Sequence, residues 1–286
     1  MRTIFRYGLT QFRGQILGWG LAMVVLAALV VPLYDVVVKQ QAQFLALLKN
    51  YPPQFSAFFG DMTKIATPAG YLSTEFFSLA PLILGVFAVL AGSGLIASDE
   101  EKGTLDLILA HPVSRTGVFL GRLLALIAAT VAILLLTWLG FVVMMPWSSL
   151  HIGAGTMLLP FLSLFAVLLL FGSLALLLSM LLPSRRLAAM AAGLVLVASY
   201  FLTSLARIDA SLKPAARLSP LNYFQSGDAL LGLNLGWFAG LLVVAALFAA
   251  LAAWLFQRRD IRVGGEGGWR LPRVLQRFRR AQPAAP

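Results

Sequence analysis

Few residues of this chain have the type and spacing needed for chemistry. It contains no cysteine, which excludes a disulfide, a thiolate metal site and a cysteine nucleophile. Its two histidines, His111 and His151, stand on either side of a long apolar run, and the zinc-binding pattern HExxH is missing. No GxxxxGKS or GxxxxGKT loop occurs, so the chain does not bind ATP through a P-loop. The sequence therefore predicts no catalytic residue, no metal ligand and no cofactor held by this chain.

The most informative charged residues form an island, Ser98–Arg122, between the apolar runs Phe76–Ala97 and Leu123–Trp147. Near its start the island has four consecutive charged residues, Asp99, Glu100, Glu101 and Lys102. Charged groups of this density are too costly to place in hydrocarbon. The island is therefore predicted to lie outside the membrane, as a connection between two spans.

A short amphipathic helix is predicted inside the island. Leu105, Ile108 and Leu109 fall at i, i+3 and i+4, which gives the helix one apolar face. Gly103 before it and Pro112 after it limit it to about two turns. A short helix of this kind between two spans is typical of a docking element, which predicts that the membrane part receives force from a separate protein.

The composition indicates an all-α polytopic membrane protein. Hydrophobic residues make up 60% of the chain and charged residues 12%, with a mean hydropathy of +0.88. Six apolar stretches have the roughly 20 residues needed to cross a hydrocarbon core of about 30 Å. We place these six transmembrane helices near Ile16–Tyr34, Phe76–Ala97, Leu123–Trp147, Pro160–Leu182, Leu187–Ala206 and Gly236–Phe256.

The positions of lysine and arginine predict the orientation. Sixteen of the 22 basic residues fall on the side of the two termini and the charged island, and six fall on the other side. The positive-inside rule then places both termini and the island in the cytoplasm, with the chain in the inner (plasma) membrane. The net charge of +11 is explained by this topology, so no nucleic acid partner is predicted. No small-x-small cleavage site follows the first apolar run, which has the length of a span, so the run is interpreted as a span rather than a signal peptide.

The six predicted spans carry no charged residue near their centres. Carriers that couple transport to ions or protons usually keep such residues at mid-membrane, so this class is disfavoured. The spans do contain hydroxyl side chains, which we interpret mainly as partners of backbone carbonyls and neighbouring helices. If some of them line a path, its cargo is predicted to be hydrophobic or amphipathic rather than ionic.

Three runs of the sequence resemble those of a known protein family. The island reads Glu100-Glu101-x-Gly103-Thr104-Leu105-Asp106-Leu107 and then His111-Pro112-Val113-Ser114-Arg115. Two further runs add support, Thr67-Pro68-Ala69-Gly70-Tyr71 with Glu75, and Leu218-Ser219-Pro220-Leu221-Asn222-Tyr223-Phe224. Over its whole length the chain is similar to the six-span permease subunits of ABC-2 type ATP-binding cassette transporters.

This resemblance implies a type V exporter-like permease fold. It makes the island the site of a coupling helix, at about residues 99–111, that seats in a cleft of a separate ATPase. The residues it assigns to that contact are Glu100, Glu101, Gly103, Thr104, Leu105, Asp106, Ile108, Leu109, Pro112 and Arg115. We expect Leu105, Ile108 and Leu109 to fill the apolar cleft, while Glu101 and Asp106 meet basic residues around it.

The resemblance also implies partners and an activity. It implies two permease copies with two ATPase copies, and ATP with Mg²⁺ bound on the ATPase. The chain would form the pathway for ATP-driven export of a hydrophobic or amphipathic compound such as a drug, an antibiotic or a lipid-like molecule. Two alternatives remain open: a permease that supports metalloenzyme maturation, and a carrier or scramblase that works without an ATPase.

The ends of the chain are predicted to lie on the membrane surface. Residues 1–15 are expected to form an interfacial connecting helix with Arg2, Arg6 and Arg13 on one stripe. Residues 16–256 form the six-span domain, and residues 257–286 form a basic cytoplasmic tail. In the tail, Arg270, Arg273 and Arg277 lie either on an amphipathic helix bound to anionic lipid or in a disordered tail.

Two loops are predicted from their turn residues. The short Pro183-Ser184-Arg185-Arg186 turn should make the fourth and fifth spans antiparallel neighbours. The segment between Arg207 and Gly236 is either a simple external loop or, as the resemblance implies, a re-entrant segment that helps to close the exit.

Overall fold

A computed structural model describes residues 2–43, 58, 64–111 and 113–258, and it contains helices but no strand in these ranges. The principal helices are α1 (Arg2–Lys39), α2 (Pro68–Leu72), α3 (Ala80–Gly94), α4 (Ala97–Glu101), α5 (Thr104–Leu109), α6 (Arg115–Met144), α7 (Ala154–Leu181), α8 (Arg185–Leu205), α9 (Lys213–Ala216) and α10 (Leu235–Arg258). The predicted all-α class is therefore confirmed.

Five helices are long and apolar enough to cross a membrane: α1, α6 with its terminal 3₁₀ turn, α7, α8 and α10. The remaining predicted span, the second along the chain, is a pair of helices with a bend between them. Its first part is α2 continued by a π-helical turn, Ser73–Phe77, and its second part is α3, at an angle of 42°. Pro81 lies in the first turn of α3 and has no N–H to donate to the preceding turn, which explains the break. The span predicted near Phe76–Ala97 is therefore bent and reaches back to Pro68.

The first helix is also longer than predicted. The structure shows no break near residue 15, because α1 runs for 38 residues, or about 57 Å. Its first turns have a partner helix, since Ile4, Gly8 and Phe12 are buried on the same side as Gly20 further along. The segment predicted as a separate interfacial helix is thus the N-terminal end of α1.

Helices α1 and α6 pack side by side and run in the same direction. A Cβ atom placed on Gly8 would lie 2.9 Å from Cβ of Ala125, and further along one on Gly140 would lie 3.3 Å from Cα of Val24. The contacts advance together along both helices, which shows that the pair is parallel. Small residues permit this close approach, as they do between helices in lipid.

The other spans surround α7. Of its most apolar stretch, 72% is buried, compared with 17% for α10. Helices α3, α8 and α10 pack around α7. Gly92 of α3 touches Gly172 of α7 so closely that a Cβ atom on Gly92 would collide with the Gly172 carbonyl oxygen. The predicted pairing of the fourth and fifth spans is confirmed, because α7 and α8 are joined by a three-residue turn in which Ser184 caps α8.

The segment between α8 and α10 packs into the helical bundle. Its Gln225 backbone N–H donates to the Ser163 hydroxyl of α7 at 3.0 Å, and its Gly227 N–H donates to the Ser73 hydroxyl at 3.0 Å. Ser163 lies about 13 Å along the axis from the first residue of α7. This depth favours the re-entrant alternative over a simple surface loop.

Several predictions concern residues outside the described ranges. These are the predicted coupling residue Pro112 and the tail with Arg270, Arg273 and Arg277. They stay predictions.

Two glycine-to-alanine substitutions test the close contact between α3 and α7. Gly92→Ala should lower the free energy of unfolding by about 1–3 kcal/mol, because the new methyl group meets backbone that cannot turn aside. Gly193→Ala in α8 is the matched control, since a Cβ atom there has no neighbour within 4 Å. Thermal unfolding of the two purified variants in detergent measures the difference. Equal stability of both would contradict the close packing.

Candidate functional site

The charged island folds into two short helices, α4 and α5, between α3 and α6. They are joined through Gly103, which has a φ of +69° in the left-handed region. A side chain at this position would strain the backbone. Gly103 directly precedes α5, which confirms that it limits this helix, whereas the single helix expected over about residues 99–111 is two helices.

The exposed face of α5 is not the one that was predicted. Leu105 is buried at 2% exposure, and Ile108 and Leu109 pack against the same core. The outer face carries Asp106 and Leu107, with Leu107 67% exposed. The apolar stripe therefore holds α5 on its own chain and is not free to fill a partner's cleft.

A buried ion pair lies beneath the island. Oδ2 of Asp99, in α4, accepts a hydrogen bond from Nη2 of Arg122, in α6, and both side chains are less than a tenth exposed. The other guanidinium nitrogen, Nη1, donates to Oε1 of Gln11 in α1. The ring of Tyr7, one turn away in α1, lies 5.0 Å from Cζ of Arg122. One guanidinium thus joins three helices. The backbone of Arg122 belongs to α6, and its side chain contacts α4 through Asp99 and α1 through Gln11 and Tyr7.

Thr104 ties α5 to this ion pair. Its hydroxyl lies 3.2 Å from Oδ1 and 3.3 Å from the backbone oxygen of Asp99, and it donates to this residue. The first residue of α5 is therefore held to the carboxylate that binds Arg122. This bond spans the Gly103 turn and fixes the angle between α4 and α5.

Glu101 links the island to the turn between α7 and α8. Its Oε1 accepts a hydrogen bond of 2.9 Å from the backbone N–H of Arg185, the first residue of α8. A carboxylate at this position satisfies a free N–H and complements the positive end of the helix dipole. Glu101 was expected to meet basic residues of a partner, but in the structure it has this partner within the chain.

The remaining predicted residues border the site. Glu100 is half-buried in α4, and Arg115 is the half-buried first residue of α6. Ser114 caps α6 by accepting the Gly117 N–H at 3.0 Å, as expected for a span that starts there. Nδ1 of His111 lies 3.0 Å from the Leu107 oxygen, which agrees with a turn residue at the end of α5. The stripe of Arg2, Arg6 and Arg13 is exposed on α1.

The role of Arg122 was not predicted from the sequence. The third span was predicted to begin at Leu123, which placed Arg122 at the edge of the charged island. The usable signal was Ser114, a helix-capping residue eight positions earlier. A helix starting at Ser114 carries Arg122 two turns inside, where a buried guanidinium requires an anionic partner.

Within the described ranges, no group of three or more acidic or histidine side chains has the arrangement of a metal site. The site consists of contacts that hold the α4–α5 segment firmly, and of an outer face, with Asp106 and Leu107, that is open to a partner. This arrangement suits the transmission of force better than it suits a reaction.

A profile comparison agrees with this interpretation. The profile described as "ABC-2 family transporter protein" matches residues 15–261, which is most of the chain. A search of the curated proteins finds no significant match. The family is a membrane component of transporters, and an ABC ATPase partner is implied for it in general. Given the helical bundle and a profile match over most of its length, the chain belongs to the ABC-2 family of transporter proteins.

Proposed function

We propose that this chain is the membrane-spanning permease subunit of an ABC exporter, which moves a hydrophobic or amphipathic compound when a separate ATPase hydrolyses ATP. The observation that carries the proposal is the firmly held α4–α5 segment with its exposed outer face. Since the chain has no P-loop, ATP and Mg²⁺ are assigned to the ATPase.

The exposed face of α5 is the docking contact in this proposal. Leu107 is the apolar side chain that α5 presents outward, and Asp106 beside it supplies a negative charge. An apolar side chain with a charged neighbour fits a shallow apolar cleft edged by basic residues. The buried Leu105 has a different role, because it anchors α5 to the permease.

Substitution of Leu107 tests the docking contact. Leu107→Asp should abolish co-purification of the ATPase, because it places an unpaired charge in the contact. The permease should still insert and fold, since Leu107 is exposed. The matched control is Leu231→Asp, which changes an equally exposed leucine in the segment between α8 and α10. The docking role would be excluded if Leu107→Asp retained the ATPase as well as Leu231→Asp does.

The proposal requires the α4–α5 segment and the N-terminus to be cytoplasmic. The basic residues favour this orientation, and the parallel α1–α6 pair supports it, because both helices must then start on the same side. The proposed location is the inner membrane, with the C-terminal tail also cytoplasmic.

Cysteine labelling of this cysteine-free chain measures the orientation. A cysteine at Ser211 should react with a membrane-impermeant maleimide in intact cells, and one at Ala110 should react only after the membrane is opened. Both positions are exposed in the structure, so access to the reagent depends on the side of the membrane. Labelling of the Ala110 cysteine from outside would reverse the orientation and remove the docking face from the cytoplasm.

The polar side chains within the spans support an apolar cargo. Several buried hydroxyls donate to carbonyls of their own helix, including Thr130 to Leu126 at 2.9 Å and Thr137 to Ile133 at 2.8 Å. Ser173 and Ser179 do the same in α7. These groups are satisfied locally and offer no polar lining for an ionic cargo.

We also propose a homodimer with two ATPases, because six spans supply half of the membrane part of an ABC transporter. The second copy would pack around an axis along the membrane normal, with membrane lipid on the outer surface.

Native mass spectrometry of the purified complex tests this assembly. The expected species contains two permease chains and two ATPase chains. On collisional activation in the mass spectrometer it should lose two ATPase chains, each as a single chain. A stable complex of one permease with one ATPase, unchanged on dilution or concentration, would contradict the dimer.

A further inference from the structure

The described helices form two closely packed groups that share one apolar core. In one group, α1 and α6 pack along each other through their glycine positions. In the other, α3, α8 and α10 surround α7. The α4–α5 segment connects the groups, because it follows α3 in the chain and leads into α6.

Buried charges bind this segment to the α1–α6 group. Arg122 of α6 holds Asp99 of α4 with one guanidinium nitrogen and Gln11 of α1 with the other, under the ring of Tyr7. Separation of the segment from α6 would leave a charge buried without its partner. Thr104 extends the connection across the Gly103 turn to α5.

The contact of the segment with α8 is of another kind. Glu101 accepts the Arg185 N–H at the surface, where water can replace either partner. A displacement of α5 is therefore resisted more strongly at Arg122 than at Arg185. The segment should stay with α1 and α6 and shift relative to α8.

We propose that Asp99, Arg122 and Gln11 are positioning residues that make α5, α1 and α6 move as one body when the ATPase moves. The proposal rests on the proposed function and adds to it which helices receive the motion. The residues act through the geometry of the segment, and they do not touch cargo or nucleotide.

The test uses the complete complex in lipid vesicles with a cysteine at Trp147, which is exposed at the far end of α6 from the α4–α5 segment. The labelling rate of this cysteine by a maleimide should differ between the nucleotide-free complex and the complex trapped with ATP and vanadate. Asp99→Asn should keep the ATPase bound and lose this difference. The control Asp228→Asn, at an exposed aspartate in the segment between α8 and α10, should keep the difference.

Two results would overturn the proposal. One is an unchanged nucleotide-dependent difference in Asp99→Asn. The other is loss of the ATPase from Asp99→Asn to the same extent as from Leu107→Asp, which would make Asp99 part of the docking contact. If Asp99→Asn fails to accumulate, Gln11→Leu decides, because it leaves the ion pair intact and removes the bond to α1. We expect Gln11→Leu to reduce the difference, and an unchanged difference would overturn the proposal.

A second measurement needs no ATPase and separates this proposal from the proposed function. In thermal unfolding of the permease alone, Asp99→Asn and Gln11→Leu should be non-additive, because both act through Arg122. Additive losses would show that the three residues are not one unit. A wild-type permease that never binds an ATPase would refute the proposed function, while non-additivity in the same protein would still support the link.

Discussion

The position of Arg122 inside an apolar helix constrains much of the half of this protein that contains the α4–α5 segment. A guanidinium at that depth requires an anion and further acceptors, and it finds them in Asp99 and Gln11. The need for Asp99 brings α4 against α6. The guanidinium also needs contacts from α1. Tyr7 and Gln11 reach Arg122 only if the first turns of α1 continue along α6, so α1 extends past the membrane. The length of α1 and the placement of the α4–α5 segment thus have one cause.

Such a pair is a poor source of stability and a good source of definite geometry. Replacement of a buried ion pair by apolar side chains is often neutral or stabilising, whereas loss of one partner costs about 3–5 kcal/mol. Packing in this chain relies on shape instead, through the close approaches at Gly8, Gly140 and Gly92. Apolar contacts between helices tolerate small sliding movements, but a charge pair with two partners does not. Definite geometry is what a segment needs if it is to transmit a displacement.

The sequence was sufficient for features that depend on local chemistry. The apolar runs located the spans, and Gly103 marked the residue directly before α5. It failed where the outcome depends on a neighbouring element. The apolar stripe of Leu105, Ile108 and Leu109 was found correctly, but periodicity does not say whether such a face meets its own chain or another one. Likewise, the continuity of α1 depends on α6 as a partner, which no local pattern of residues 1–15 contains.

The burial of that stripe has a consequence for the proposed assembly. Helix α5 has six residues, or a length of about 9 Å, and its apolar stripe is already used inside the chain. The face that remains is far smaller than the roughly 800 Å² that each partner of a stable interface usually buries. Under the proposed function, α5 alone therefore does not hold the ATPase. Further contact must then come from neighbouring surface on the same side of the membrane. The exposed arginine stripe at the start of α1 offers such surface, and under the proposed link through Arg122 it moves with α5. Binding surface and force-bearing element would then belong to the same rigid group.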